Sequence, residues 1–222
     1  MNTFPYSQFD RKELERRVGN MEQLAGMRML QASDGRARGS RLLSVWTGTG
    51  LTFEIAVDRA LDIAGCHYRG VPLAWISPVG YVHPAYYQPT DWERSYQGGL
   101  FATCGLNHFG PPASVNGTDY FQHGRVDNLP AQNLSYRAYW TEGQTGPSQY
   151  ILEAGGTIRQ ASVFGETITL QRHISTSLGS NRIQIRDIVT NNGFAPQRHV
   201  MFYHCNIGYP LVCQDSKLHV EV

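Results

Sequence analysis

The chain has 222 residues, of which 41% are hydrophobic and 17% charged, which fits one globular domain with its own core and excludes a disordered or fibrous chain. Nineteen Lys and Arg against 18 Asp and Glu leave a net charge of +1, no field broad enough to attract phosphate backbones or anionic headgroups, so neither nucleic acid nor a membrane is an expected partner. No apolar run approaches the roughly 20 residues of a spanning helix, and residues 1–19 are polar where a secretory leader is apolar, so a cytoplasmic protein is expected.

Helix is predicted only near the N-terminus. Asp10 and Glu13 have the spacing of a capping box, Leu14 and Val18 share a face, and Gly19 suits a stop; a second short turn starts at Asn20. From there, short apolar or alternating runs broken by Gly, Pro, Asn and Ser predict strands at 27–32, 41–47, 51–57, 61–68 and 71–76, joined by tight turns into a meander. Residues 77–130 show little alternation and are too long for a simple connection, which marks them as a working segment. Their aromatics, Tyr81, Tyr86, Tyr87, Trp92, Tyr96, Phe101, Phe109, Tyr120 and Phe121, suit either loop packing or the stacking walls of a sugar pocket. A second series of strands is predicted at 133–141, 149–160, 167–176, 182–190 and 198–207. Antiparallel strands of this length, behind two short helical pieces, predict an all-β domain of two large sheets packed face to face. No repeat or linker divides it, so residues 1–222 are expected to form one domain.

Cys66, Cys104, Cys205 and Cys213 form no C-x-x-C pair and have apolar neighbours, so buried free thiols are expected rather than a zinc site or a disulfide framework. His123 precedes Gly124, which lets the backbone bend close to a ligand, and Arg125, which brings a rigid charged fork. An exposed loop histidine beside a surface arginine is the plainer alternative. His204 interrupts the apolar run 201–207, where a two-residue period puts Phe202, His204 and Asn206 on one face. That imidazole is either a satisfied core residue or a group that gives or takes a proton near neutral pH. The other histidines lack metal-ligand spacing, and no cofactor or metal is expected. Asp58 and Arg59 follow an apolar strand, at an end expected to open to solvent, as a structural ion pair or as pocket residues. Trp92, with Glu93 and Arg94, is either a platform for a sugar ring or a loop anchor. Phosphate-loop, dinucleotide and serine-hydrolase motifs do not occur.

Five segments, Gly50-Leu-Thr-Phe, Asp58-Arg59-Ala-Leu-Asp-Ile, Gly98-Gly99-Leu-Phe-Ala-Thr-Cys-Gly-Leu106, His123-Gly-Arg-Val-Asp-Asn-Leu-Pro-Ala131 and Tyr203-His-Cys-Asn-Ile-Gly-Tyr-Pro-Leu211, resemble in order and spacing a bacterial branch of the aldose 1-epimerase (galactose mutarotase-like) superfamily. The resemblance implies a β-supersandwich with a sugar on its concave face. It implies that His123 binds ring hydroxyls, that His204 is the general acid, and that a late glutamate is the base. Arg125 lies two positions from the family's arginine, and Asp58 and Arg59 belong to this branch's own pattern and are carried over as pocket residues; with Trp92 and Asn206 these residues are expected to bind the sugar. The family's glutamate lies well downstream of its acid, whereas this sequence ends 18 residues past His204, and Glu221 does not match in position. The expectation is that C-terminal strands of the sandwich are missing, with a homo-oligomer left open. The activity implied is interconversion of the anomers of a free sugar or sugar derivative. A non-catalytic carbohydrate-binding protein and a sugar isomerase or lyase on the same fold are the alternatives.

Overall fold

The computed structural model describes residues 6, 9–141 and 148–220. Helix α1 (Arg11–Arg17) opens on the expected capping box: the Asp10 carboxylate accepts from the Glu13 amide, and the Glu13 carboxylate accepts from the Asp10 amide. It ends at Arg17, two residues before the glycine, because Val18 is already extended at φ −127°. Asn20 caps a single 3-10 turn at Met21–Gln23. Among the described residues no helix is long and apolar enough to cross a membrane.

The predicted meander is a five-stranded antiparallel sheet in chain order: β1 (Gly26–Gln31), β2 (Arg41–Trp46), β3 (Leu51–Ala56), β4 (Asp62–Tyr68) and β5 (Val71–Pro72). The register pairs Leu43 with Ile55 and Val45 with Phe53, so alternation sends all four to one buried face. β5 is shorter than predicted. After Pro72 the Leu73 amide still donates to Cys66 O (2.9 Å), but beyond it Ala74 and Ile76 make only single bridges, to Ile207 and Gly98.

The 77–130 segment holds three 3-10 turns and three strands: β6 (Ala102–Leu106) and the hairpin β7 (Ala113–Val115) with β8 (Thr118–Tyr120). None of these strands was anticipated. All five residues of β6 are buried, so no polar face exists to give a period of two.

The second sheet has the order β12-β11-β10-β9, made of β9 (Gln132–Trp140), β10 (Tyr150–Ala161), β11 (Thr167–Ser177) and β12 (Gln184–Asn191). The strand predicted at 198–207 does not join it. It shortens to β13 (Val200–His204) and pairs with β6, Phe202 opposite Cys104 and His204 opposite Ala102. Leu152, Ala154 and Ile158 of β10, with Ile168, Leu170 and Ile174 of β11, form one cluster with the inner face of the first sheet, so the two sheets do pack face to face.

Arg172 lies in that apolar layer, between Leu170 and Ile174 on the inner face of β11, and is fully enclosed. Its guanidinium reaches across to the first sheet, donating to Asp62 Oδ1 (2.7 Å) and Ala60 O (2.9 Å), and within its own sheet donates twice to Asp187 (2.9 and 2.7 Å). Burial opposes its charge, but the bonds to Asp187 and the attraction of Asp62 outweigh it and hold its pKa above the ordinary guanidinium value. The cysteines divide: all four are free, with Cys66 and Cys104 buried as expected but Cys205 and Cys213 exposed, because the chain past β13 runs over the surface. Glu221, the late acid considered above, lies outside the described residues.

Candidate active site

His204 ends β13 with Phe202 on the same face, their rings 5.7 Å apart. His123 arrives from the opposite direction on the loop after β8. Its backbone is tied to β6 by Gly105 N–H to His123 O (3.0 Å) and to the preceding loop by His123 N–H to Gly110 O (3.0 Å). The Tyr87 hydroxyl donates to Gly124 O (3.1 Å). The turn depends on two consecutive left-handed residues, His123 at φ +58° and Gly124 at φ +78°. A Cβ at Gly124 would collide with the carbonyl oxygens of Gly105 and His108, so only glycine lets the loop lie this close to β6. The outcome is an imidazole pair, His123 and His204, with ring centroids 6.1 Å apart and planes at 84°.

The Gly110 amide donates to His123 Nδ1 (3.3 Å), which puts the proton of the neutral ring on Nε2. Burial, then the nearby His204 and His108, hold the His123 pKa below the ordinary imidazole value. His204 Nδ1 is buried with no hydrogen-bond partner.

An aromatic wall backs the pair. Trp92 stacks on Tyr96 at 4.1 Å and tilts against His123 at 4.9 Å, while Tyr96 meets His204 edge-on at 5.6 Å. Phe202 stacks with His123 at 6.3 Å and with Phe109 at 5.6 Å. Trp92 is 7% exposed, which leaves its ring as a support rather than an open platform, and its Nε1 donates to Asp127 Oδ2 (3.3 Å). Asp127 is buried and also accepts from Asn128 Nδ2 (2.7 Å). Burial, only partly offset by the charge of Arg59, pushes its pKa up to about 7. Asn206 holds the wall together: its Oδ1 accepts from the Tyr96 hydroxyl (3.0 Å), and its Nδ2 donates to Gly99 O (2.8 Å) and His204 O (3.2 Å).

The structure therefore gathers His123, His204, Trp92 and Asn206 and leaves three candidates elsewhere. Asp58 and Arg59 do not pair with each other, nor does the strand end open to solvent; the 77–130 segment covers it and both residues are buried. Asp58 takes the Arg41 amide (2.7 Å) and guanidinium, while Arg59 donates to Val82 O, Ser95 O and Asn128 Oδ1 (each 2.9 Å) and so pins the covering loops. Arg125 is exposed, held over the Phe121 ring at 5.1 Å, and lines a cavity to which neither imidazole contributes. Tyr96 was named only among the aromatics of the 77–130 segment, and Asp127 was not singled out. Asp127 lies within the His123 to Ala131 segment quoted above, but its burial depends on loops distant in the chain. No group of three or more His, Cys, Asp or Glu side chains suited to a metal occurs among the described residues.

This architecture has a solved counterpart in a Klebsiella pneumoniae subsp. pneumoniae MGH 78578 protein provisionally named aldose 1-epimerase. It shares 22% identity at a TM-score of 0.75, over 87% of this chain and 52% of the other. A galactose 1-epimerase from Lactobacillus acidophilus NCFM aligns at 8% identity and a TM-score of 0.46, over 76% of this chain and 49% of its own. The chain thus spans about half the length of the solved structures it matches, and the first likeness shows the fold to be that of the aldose 1-epimerase-like sandwich. No curated protein matches the sequence. A family profile does match, over residues 37–222, a span that includes both sheets from β2 onward and both imidazoles; the chain belongs to DUF4432, a family described as a domain of unknown function.

Proposed function

We propose that the chain is an aldose 1-epimerase-like isomerase that interconverts the anomers of a free sugar or sugar derivative at the imidazole pair. The observation that carries this reading is the convergence of His123 and His204, distant in sequence, to 6.1 Å on one aromatic-backed wall. In the proposed reaction a base takes the proton of the anomeric hydroxyl while an acid protonates the ring oxygen. The bond between C1 and the ring oxygen breaks, C1 turns about its bond to C2, and closure on the other face returns both protons. Burial and the nearby imidazoles hold His123 toward its neutral form, which offers its Nε2–H to a sugar oxygen. The role of acid falls to His204, as the family resemblance assigns it. Phe202 and Tyr96 give the apolar surface that the C–H face of a pyranose needs. Neither imidazole forms an ion pair with a carboxylate among the described residues, and the resemblance assigns the base to a late glutamate.

Polarimetry on a panel of aldoses and sugar acids tests the proposal. We expect His204→Ala to lower kcat by roughly 10²–10⁴ and His123→Ala to act mainly on KM. No acceleration over buffer on any of these sugars would remove the reading. Sugar binding that survives His204→Ala without turnover would instead indicate a carbohydrate-binding protein.

A further inference from the structure

We propose that the cavity beside the imidazole pair, bordered by Arg125 and Arg159, is a second ligand site, for a monosaccharide that carries an acidic group. Its origin is a mismatch in strand length. β9 begins at Gln132, opposite Thr157, whereas β10 runs on to Ala161, so no strand lies on that side of residues 158–161. The space between this bare stretch and the β7–β8 hairpin is about 450 Å³, within the roughly 300–1,000 Å³ of small-molecule sites.

The charges on its walls define the ligand. Arg159 projects from β10 and Arg125 from the loop after His123, and neither has a carboxylate within ion-pair distance among the described residues. Phe121 holds the Arg125 guanidinium in place without neutralising it. A guanidinium fork matches the two oxygens of a carboxylate or phosphate. The same walls carry two acids, Asp119 and Glu166, the latter accepting from Gln160 Nε2 (3.2 Å). Gln160 is 3% exposed, and its own Oε1 has no hydrogen-bond donor. Bare phosphate would meet these carboxylates with repulsion, and a neutral sugar could accept hydrogen bonds from the arginines but would leave both without a counter-charge. A sugar acid or sugar phosphate satisfies each group: its oxyanion takes the arginines, and its hydroxyls donate to the acids. The inference is independent of the chemistry proposed at the imidazoles.

Calorimetric titration with glucuronate, glucose 6-phosphate and glucose tests it, with thermal melts to verify the fold of each variant. We expect at least one acidic sugar to bind, at least tenfold more tightly than glucose, and to weaken as salt is raised. The two acidic probes distinguish carboxylate from phosphate recognition. Arg159→Ala, at an exposed position, should weaken that binding at least tenfold with an unchanged melting temperature, and Arg159→Lys should recover only part of it. His204→Ala should change it less than twofold. The proposal is overturned if neither acidic sugar binds, if glucose binds as well, or if Arg159→Ala has no effect. It is also overturned if His204→Ala, rather than Arg159→Ala, abolishes binding, since the ligand would then sit at the imidazoles.

Discussion

Asp127 lies directly behind the wall that supports both imidazoles, and its carboxyl titrates near 7 instead of the ordinary 3.8 because burial outweighs the help it receives from Arg59, Trp92 and Asn128. The folded protein therefore keeps a proton that the unfolded chain has lost between about pH 4 and pH 7, and this group's contribution to stability falls as pH rises through that window and is level above it. Asparagine keeps an acceptor for Trp92 but cannot ionise. Asp127→Asn should therefore gain stability relative to wild type by roughly 2–4 kcal/mol between pH 4 and pH 8. Urea unfolding at both pH values measures this, and a pH-independent difference would contradict the assignment. His123 and His204 were visible in the sequence as candidates because each breaks an otherwise apolar or glycine-rich context. Asp127 was not, since an acid two residues after an arginine has many ordinary uses, and Tyr96 stood only as one of nine aromatics open to loop packing or to a sugar wall.

Among the elements, β6 decides the geometry of the site. It pairs with β13 on one side, receives the His123 loop on the other, and so sets the separation of the two imidazoles. Gly124 is the point of closest approach. Gly124→Ala should force the loop away from β6 and add left-handed strain, costing about 2 kcal/mol or more. The expected signature is a melting temperature lowered by several degrees together with a weakened sugar-dependent signal at His123 in NMR titration. An alanine variant equal to wild type in both would show that the loop does not need this contact. In the meander and the second sheet, β2, β3, β10 and β11 were legible because buried residues alternate with more exposed ones. β6 was hidden because it is dry on both faces, and the partner of β13 was misjudged because strand pairing between distant segments leaves no local trace.

Across the whole molecule, Arg172 joins the two sheets and, through Asp187, reaches the site: Asp187 also accepts from the Tyr203 hydroxyl (2.8 Å), next to His204. Arg172→Met would fill similar space but leave Asp62 and Asp187 buried without their cation, a loss of about 3–5 kcal/mol. Chemical denaturation should show that drop, and a loss below about 1 kcal/mol would mean that the acids are solvated or protonated without penalty. An arginine on the inner face of the alternating run 167–177 was a signal available from the sequence. It went unread because a lone charge on a strand is more often solvated than clamped.

The sequence by itself determined the helix cap, nearly all of the long strands, the all-β character and the two histidines, because capping, alternation and turn chemistry act between residues a few positions apart. The family resemblance was likewise carried by contiguous segments. Only the tertiary structure decided that Asp58 and Arg59 are buried supports, that Arg125 faces a different cavity from His123, and that Asp127 is buried behind the wall. Those outcomes depend on which distant loop covers which strand end, and that is set by the packing of the assembled sheets rather than by any local pattern.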